Sequence, residues 1–233
     1  MKIVCISQVY WPDTASVAQH LVDLLQALSD HGHDVTVITS RHNYEHPEIM
    51  YPAMEHHNGV RIHRLSNTGF GKKTKLGRLA DFLSFNVLIS CKLLLLKRSE
   101  CDAMIGLTSP PLLSYLGIRA AKMKNIRFVY WTMDLQPELS LVAGYMKAGS
   151  IPAKSMQKCG DYVFHQSDKI IVLDDYMKQH INRRLHTEKS GIDVIPVWPV
   201  MTAVFEGGRM ENPFRIENGF GDRIVIMYSG NHS

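Results

Sequence analysis

Short runs of β-branched and other apolar residues recur along the chain. Between them lie segments whose apolar positions return at helical spacing. Residues 2–7 form the first run and predict a strand buried on both faces, as parallel strands are. Val17, Leu21, Leu24, Leu25 and Leu28 then fall on one face of a helix. Ser16 and Gln19 have capping-box spacing, which predicts Ser16 as the N-cap, and Gly32 ends the helix. Residues 35–39 are the second strand, closing a βαβ unit whose crossover is right-handed. The pattern continues with strands at 59–65, 103–107, 128–132, 169–173 and 193–196. Helices are expected at 76–97, 112–124, 154–166 and 176–185. This alternation predicts an α/β fold, a Rossmann-like doubly wound parallel sheet.

The expected domain is residues 1–198. Residues 199–222 hold Pro199, Gly207, Gly208, Pro213, Gly219 and Gly221 and read as an interdomain linker. Residues 223–233 open with an apolar run and read as the first strand of a truncated second domain. A length of 233 residues suits one such domain plus a fragment. With 45% hydrophobic and 21% charged residues, disorder, collagen and coiled coil are excluded. A net charge of +4 is too small to argue for a nucleic-acid partner. The four cysteines, Cys5, Cys91, Cys101 and Cys159, form no C-x-x-C pair, so a reducing, cytoplasmic setting without zinc or disulfides is expected. The N-terminus carries no signal-peptide pattern. Residues 82–96 are too short and too interrupted to span a bilayer core of about 30 Å.

Ligands of open parallel sheets bind at the carboxyl ends of the strands, so the post-strand loops are the candidates. In the first, Asp13, Thr14, Ala15 and Ser16 precede a helix N-terminus, where free N–H groups favour an anion such as phosphate. A plain turn capped by Ser16 is the alternative. Thr108 and Ser109, before two prolines, form either a polar rim or a helix-start turn. The loop from Trp131 to Glu138 puts two carboxylates, Asp134 and Glu138, at a strand end. They are the candidate catalytic pair, orienting sugar hydroxyls or shifting in pKa, unless they merely cap the next helix. Trp11 and Trp131 suit stacking on a sugar and complete the candidate rim with Thr108 and Ser109.

The histidines His31, His33, His42, His46, His56, His57 and His63 match no ligand spacing and read as solvated loop residues, so no metal is expected. Gly69-Phe70-Gly71 is followed by lysines rather than the remaining fingerprint glycine, which argues against a dinucleotide. Lys72, Lys73, Lys75 and Arg78 lead into an apolar helix. That order suits an anionic membrane surface, at about 1 kcal/mol per basic residue. The alternative is a packing helix with a solvated basic lead-in.

Four segments together resemble glycosyltransferase family 4. They are the opening ISQVYWPDTASVAQHLVDLLQALSDHGHDVTVITS, then WTMDLQPE, VIPVWP and IVIMYSGN. The chain is similar over its whole length to the N-terminal part of bacterial surface-polysaccharide transferases. The resemblance implies a GT-B fold, in which an N-terminal domain binds the acceptor and a C-terminal domain binds the nucleotide sugar. It implies retaining transfer to a saccharide acceptor, often lipid-linked, with the nucleotide sugar as co-substrate and no metal or other cofactor. It would place Asp13, Thr14, Ala15 and Ser16 near donor phosphates and acceptor, Asp134 beside the transferred sugar, and Gly230 and Asn231 in the donor-domain phosphate loop. Thr14-Ala15-Ser16 stands where many members have a Gly-Gly pair, and Met133 where many have His. The donor domain's acidic motif has no counterpart, so these residues alone are expected to transfer no sugar. The alternative function is a non-catalytic membrane- or partner-binding module derived from such an enzyme.

Overall fold

The computed structural model describes residues 1–71, 74–200 and 206–227. The chain divides into two compact units, Met1–Trp198 and Pro199–Ser233. The first opens with β1 (Lys2–Ile6), α1 (Ser16–Asp30), β2 (Asp34–Ser40) and a hairpin of β3 (Met54–His57) and β4 (Val60–Leu65). Next come α2 (Lys75–Leu95), β5 (Ala103–Leu107), α3 (Leu113–Met123) and β6 (Arg127–Trp131). It closes with α4 (Glu138–Val142), α5 (Ile151–Gln166), β7 (Lys169–Val172), α6 (Asp175–Leu185) and β8 (Ile192–Val194). The strands form one eight-stranded sheet in the order β3-β4-β2-β1-β5-β6-β7-β8. Every pair is parallel except β3 with β4.

Strand residues alternate between two buried layers, which explains their continuous apolar runs. Val4 and Ile6 of β1 face a core built with Phe85 and Ile89 of α2, Ile118 of α3, Phe164 of α5 and Ile181 of α6. Ile3 and Cys5 face the other core, with Leu21 and Leu25 of α1, Val37, Ile62 and Trp131. Each fully buried Leu, Ile or Phe contributes about 1.5–3 kcal/mol. Helix α3 lies close against the sheet, where a Cβ on Gly117 would collide with Ile6.

The structure departs from the sequence expectations at several points. Ser16 is the first helical residue of α1, not its cap. The cap position is Ala15, no side chain caps the helix, and Gln19 instead donates to the carbonyl of Thr14 at 2.6 Å. Strand β3 was not expected, because Met-Glu-His-His is polar and lies on the sheet edge. Asn58-Gly59 closes the hairpin with both residues at positive φ, a turn the dipeptide itself announces. His56 and His57 therefore sit on a strand rather than in a loop, and His63 sits on the expected strand β4, where burial together with Lys92, Arg61 and His56 lowers its pKa. Helix α4 begins at Glu138 in a stretch expected to be a loop.

Taken by itself, the second unit contains α7 (Pro213–Glu217), a short helix inside the stretch expected to be a linker. Its N-cap is Asn212, whose side chain accepts from the Arg215 N–H. Residues 223–227 belong to no β-ladder among the described residues, and Ile224 and Ile226 are exposed. Residues 228–233, which complete the expected strand, lie outside the described residues.

The edge hairpin is tied to the first loop by one side chain. Arg64 of β4 is 5% exposed. Its Nη1 donates to Glu55 at 2.7 Å and to the Pro52 carbonyl at 3.1 Å, and its Nη2 to the Trp11 carbonyl at 2.8 Å. Removing such a guanidinium leaves Glu55 and two carbonyls without their donor. Arg64→Met is therefore expected to lower stability by about 3 kcal/mol. Urea unfolding of the two proteins measures it, and an unchanged midpoint would contradict this role.

Candidate functional site

The strand order runs outward in two directions from β1 and β5. The crevice outside their carboxyl ends is the place where such sheets bind ligands. The loops after β1, β5 and β6 lie side by side there. The Thr108 hydroxyl, buried after β5, accepts from the backbone N–H groups of Met133 at 3.0 Å and Asp134 at 3.4 Å. One hydroxyl thus sets the turn that presents Asp134. The Asp134 carboxylate is half-buried and accepts no hydrogen bond from any described residue, and burial raises its pKa.

Glu138 has a different fate. Arg184 Nη1 lies 3.1 Å from each of its oxygens, and His180 Nε2 lies 3.1 Å from one. Burial alone would raise its pKa, but its own backbone N–H, His180 and Arg184 outweigh burial and bring it below the ordinary carboxylate range. The Arg184 side chain is 6% exposed. It also donates to the Gln136 carbonyl at 2.7 Å, to Asp161 at 2.6 Å and to the Gln157 carbonyl at 2.9 Å. Of the two carboxylates expected to work together, only Asp134 is open. Glu138 anchors the loop, so the two members of the expected pair sit in different surroundings.

The first loop is fixed from the other side. Asp13 is buried and accepts from Asn43 Nδ2 and the Tyr44 N–H, each at 2.9 Å. Burial raises its pKa against the Tyr44 N–H and Arg64, which lower it. Thr14 and Ser16 are exposed, Ala15 is half-buried, and the first turn of α1 holds no acidic residue. Trp11 stacks on His57 with ring centroids 4.0 Å apart, so the edge hairpin covers one ring face. Trp131 is not a rim residue. It is 2% exposed and stacks on Trp198 at 5.9 Å, while Trp198 donates Nε1 to Asp23. As the last residue of β6 it points into the α1-side core, and no face is left for a sugar. Of the hydroxyls expected beside it, Thr108 is buried and Ser109 exposed.

On the far side of the first loop is a pocket of about 230 Å³. It lies between the ends of β1, β2 and β4 and the first turns of α2. His42 spans it. Its Nδ1 is 2.6 Å from the Pro47 carbonyl and its Nε2 2.9 Å from the Asn67 carbonyl. Asp81 of α2 accepts from the N–H groups of Phe70 at 3.0 Å and Gly71 at 2.8 Å. The histidine was expected to be a solvated loop residue. The signal overlooked was its position, two residues past a buried strand on the carboxyl side. A larger depression of about 510 Å³, lined by Lys2, Arg61 and Lys92, opens at the opposite edge of the sheet.

Lys75 and Arg78 occupy the exposed first turn of α2, and Arg78 lines the pocket. Lys72, Lys73, Gly230 and Asn231 lie outside the described residues. Among the described residues no helix is long and apolar enough to cross a membrane, and no group of three His, Cys, Asp or Glu residues could hold a metal ion.

The family described as Glycosyltransferase Family 4 matches residues 17–197. No curated protein matches the chain significantly in sequence. Among solved structures, the fold is similar to sucrose-phosphate synthase from Thermosynechococcus elongatus, with a TM-score of 0.57 and 15% identity, over 83% of this chain and 47% of that one. It is also similar to the catalytic domain of Starch Synthase IV from Arabidopsis thaliana bound to ADP and acarbose, with a TM-score of 0.54 and 12% identity, over 84% and 51%. The chain thus spans about half the length of these structures.

The open carboxylate has a measurable cost. Because burial raises the pKa of Asp134, its ionised form is disfavoured in the fold. That cost is fully present at pH 7 and disappears where the carboxyl is protonated in folded and unfolded chains alike. Asp134→Asn is therefore expected to raise Tm at pH 7 and to leave it unchanged near pH 3. Calorimetry at the two pH values checks this, and a lower Tm at pH 7 would show that the carboxylate is structurally required.

Proposed function

We propose, for a chain that belongs to glycosyltransferase family 4, that it supplies the acceptor side of a sugar transfer. The donor would be a nucleotide sugar, and the acceptor a lipid-linked saccharide in surface-polysaccharide assembly. The proposal concerns the whole protein, of whose structural relatives this chain spans about half.

The observation that carries this reading is Asp134, a half-buried carboxylate at the carboxyl end of a central strand, unpaired among the described residues and held by Thr108 and by the Arg184-anchored loop. A carboxylate there accepts a hydrogen bond from a hydroxyl of the transferred sugar. It also stabilises the positive charge that develops at the anomeric carbon. The N-terminus of α1, with no side-chain cap and no acid in its first turn, suits the donor's phosphates at Asp13–Ser16. The starch synthase relative is bound to ADP. Retention of anomeric configuration belongs to the same proposal, in which the nucleotide sugar is a co-substrate and no resident cofactor or metal takes part.

Peripheral attachment to an anionic membrane, on its cytoplasmic side, is the finer part of the proposal. Leu76, Leu79, Leu83, Val87 and Leu94 of α2 are each more than half exposed and form one helical stripe. Lys75 and Arg78 stand at one end and Lys97 at the other. This stripe equally favours the second reading, a non-catalytic membrane-binding module, so one assay must separate them.

That assay supplies the full-length protein with labelled UDP- and GDP-sugars and a bacterial lipid extract. Label is expected to enter the lipid fraction with its anomeric configuration retained. Asp134→Asn is expected to lower turnover by about 100-fold or more. The 233 residues alone are expected to transfer nothing. Lipid binding with no consumption of any sugar nucleotide by the full-length protein would instead establish the module. In vesicle flotation, Leu79→Gln with Leu83→Gln is expected to abolish binding to phosphatidylglycerol vesicles. Salt at about 1 M is expected to weaken binding of the unaltered chain.

A further inference from the structure

We infer that the pocket beside the first loop is the seat of the acceptor's terminal sugar. This rests on the transfer reading and assigns the acceptor to residues other than the expected rim of Trp11, Thr108, Ser109 and Trp131. That rim is broken up. Trp131 is buried in the core, Trp11 is covered on one face by His57, and Thr108 spends its hydroxyl on the Asp134 loop. The pocket is intact and already braced. The His42 ring lies between its walls, with a carbonyl within hydrogen-bond distance of each ring nitrogen and one N–H to donate in either neutral tautomer, and Asp81 ties residues 70 and 71 to α2. A binding site whose walls are held before the ligand arrives loses little entropy on binding.

Its chemistry fits one sugar ring. At about 230 Å³ it lies below the roughly 300–1,000 Å³ of drug-sized ligand sites, which favours a single ring over an oligosaccharide. The Gln8 side chain lines it and makes no hydrogen bond with any described residue. The Gln8 carbonyl, by contrast, is fixed by the Thr39 hydroxyl at 3.0 Å and the Ser40 N–H at 3.1 Å. An amide on a fixed backbone offers both donor and acceptor to vicinal hydroxyls. Phe82 supplies an apolar wall for the C–H face of a sugar. Position then selects the carrier. Phe82 and Arg78 lie on α2 beside Leu79 and Leu83, the exposed stripe, so an apolar tail leaving the pocket meets apolar surface at once.

The test titrates the ¹⁵N-labelled chain with n-octyl glucoside, galactoside and N-acetylglucosaminide below their micelle concentrations. At least one is expected to shift the backbone amides of Gln8, Asn43, Thr68 and Gly69, together with those of Leu79 and Leu83, in a saturable manner. Gln8→Ala is expected to weaken that glycoside about fivefold with Tm unchanged. Shifts confined to α2 would overturn the assignment, as would an unaltered affinity in Gln8→Ala. If the full-length protein transfers sugar while no octyl glycoside moves the pocket, the pocket assignment falls and the transfer reading stands. Saturable pocket binding without transfer would leave a glycoside site but overturn the transfer reading and, with it, the assignment of that site to an acceptor.

Discussion

Two buried guanidinium groups hold the loops from which this site is built. A parallel sheet delivers its strand ends to one edge, but the loops beyond those ends have no ladder to fix them. Arg64 reaches from β4 to the carbonyl of Trp11 and so fixes the loop after β1. Arg184 reaches from α6 to the carbonyl of Gln136 and to Glu138 and so fixes the loop after β6. A guanidinium is suited to the task because five N–H donors in a rigid plane can serve a carboxylate and several carbonyls at once. Each arginine also rests near an aromatic ring, Arg64 over Tyr51 at 5.2 Å and Arg184 over Phe164 at 5.4 Å. The open position of Asp134 follows from this arrangement. Its neighbour Glu138 absorbs the arginine, and Asp134 is left without a partner among the described residues.

Most of the fold was legible in the sequence for a simple reason. A strand buried on both faces must be apolar throughout, and the helices between such strands must each carry an apolar stripe, so the central strands and long helices declared themselves. Legibility failed where burial was partial. β3 is a polar edge strand, readable only through its Asn58-Gly59 turn. The site was less legible, because residue type does not reveal partners. Asp134 and Glu138 look alike four residues apart. What separates them is an arginine 46 residues further on, which no local pattern discloses. Trp131 looked like a sugar platform, but its place as the last residue of β6 sends it under Trp198. His42 looked solvated because the groups its ring nitrogens approach are backbone carbonyls, which no side-chain motif records.

The first loop divides the carboxyl edge into two compartments and belongs to both. On one side are the ends of β5 and β6, with Thr108 and Asp134. On the other are the ends of β2 and β4 and the start of α2, with the His42 pocket. Asp13 shows the coupling, since it lies in the loop after β1 but spends its carboxylate on Asn43 and Tyr44 of the pocket wall. Sugar transfer needs two ligands brought into contact, and holding them in register supplies much of the rate. In the proposed transfer, a single loop braced from both sides would place the two ligands next to each other without either site having to move.

Helix α2 poses the remaining physical problem. Phe85, Ile89 and Leu93 on one side belong to the core, while Leu76, Leu79, Leu83, Val87 and Leu94 on the other are exposed. A helix apolar on both sides is normally covered on both sides. A second copy of the chain would bring the basic first turn of α2, with Lys75 and Arg78, up against the like charge of its own copy or of Lys92 and Lys97. An anionic lipid surface meets both features at once, since acyl chains cover the leucines while headgroups neutralise the basic residues. On the proposed function it would also set the mouth of the His42 pocket at the interface, where a saccharide on an apolar carrier presents its polar end. On that proposal the stripe and the pocket are consecutive parts of one path, joined at Phe82.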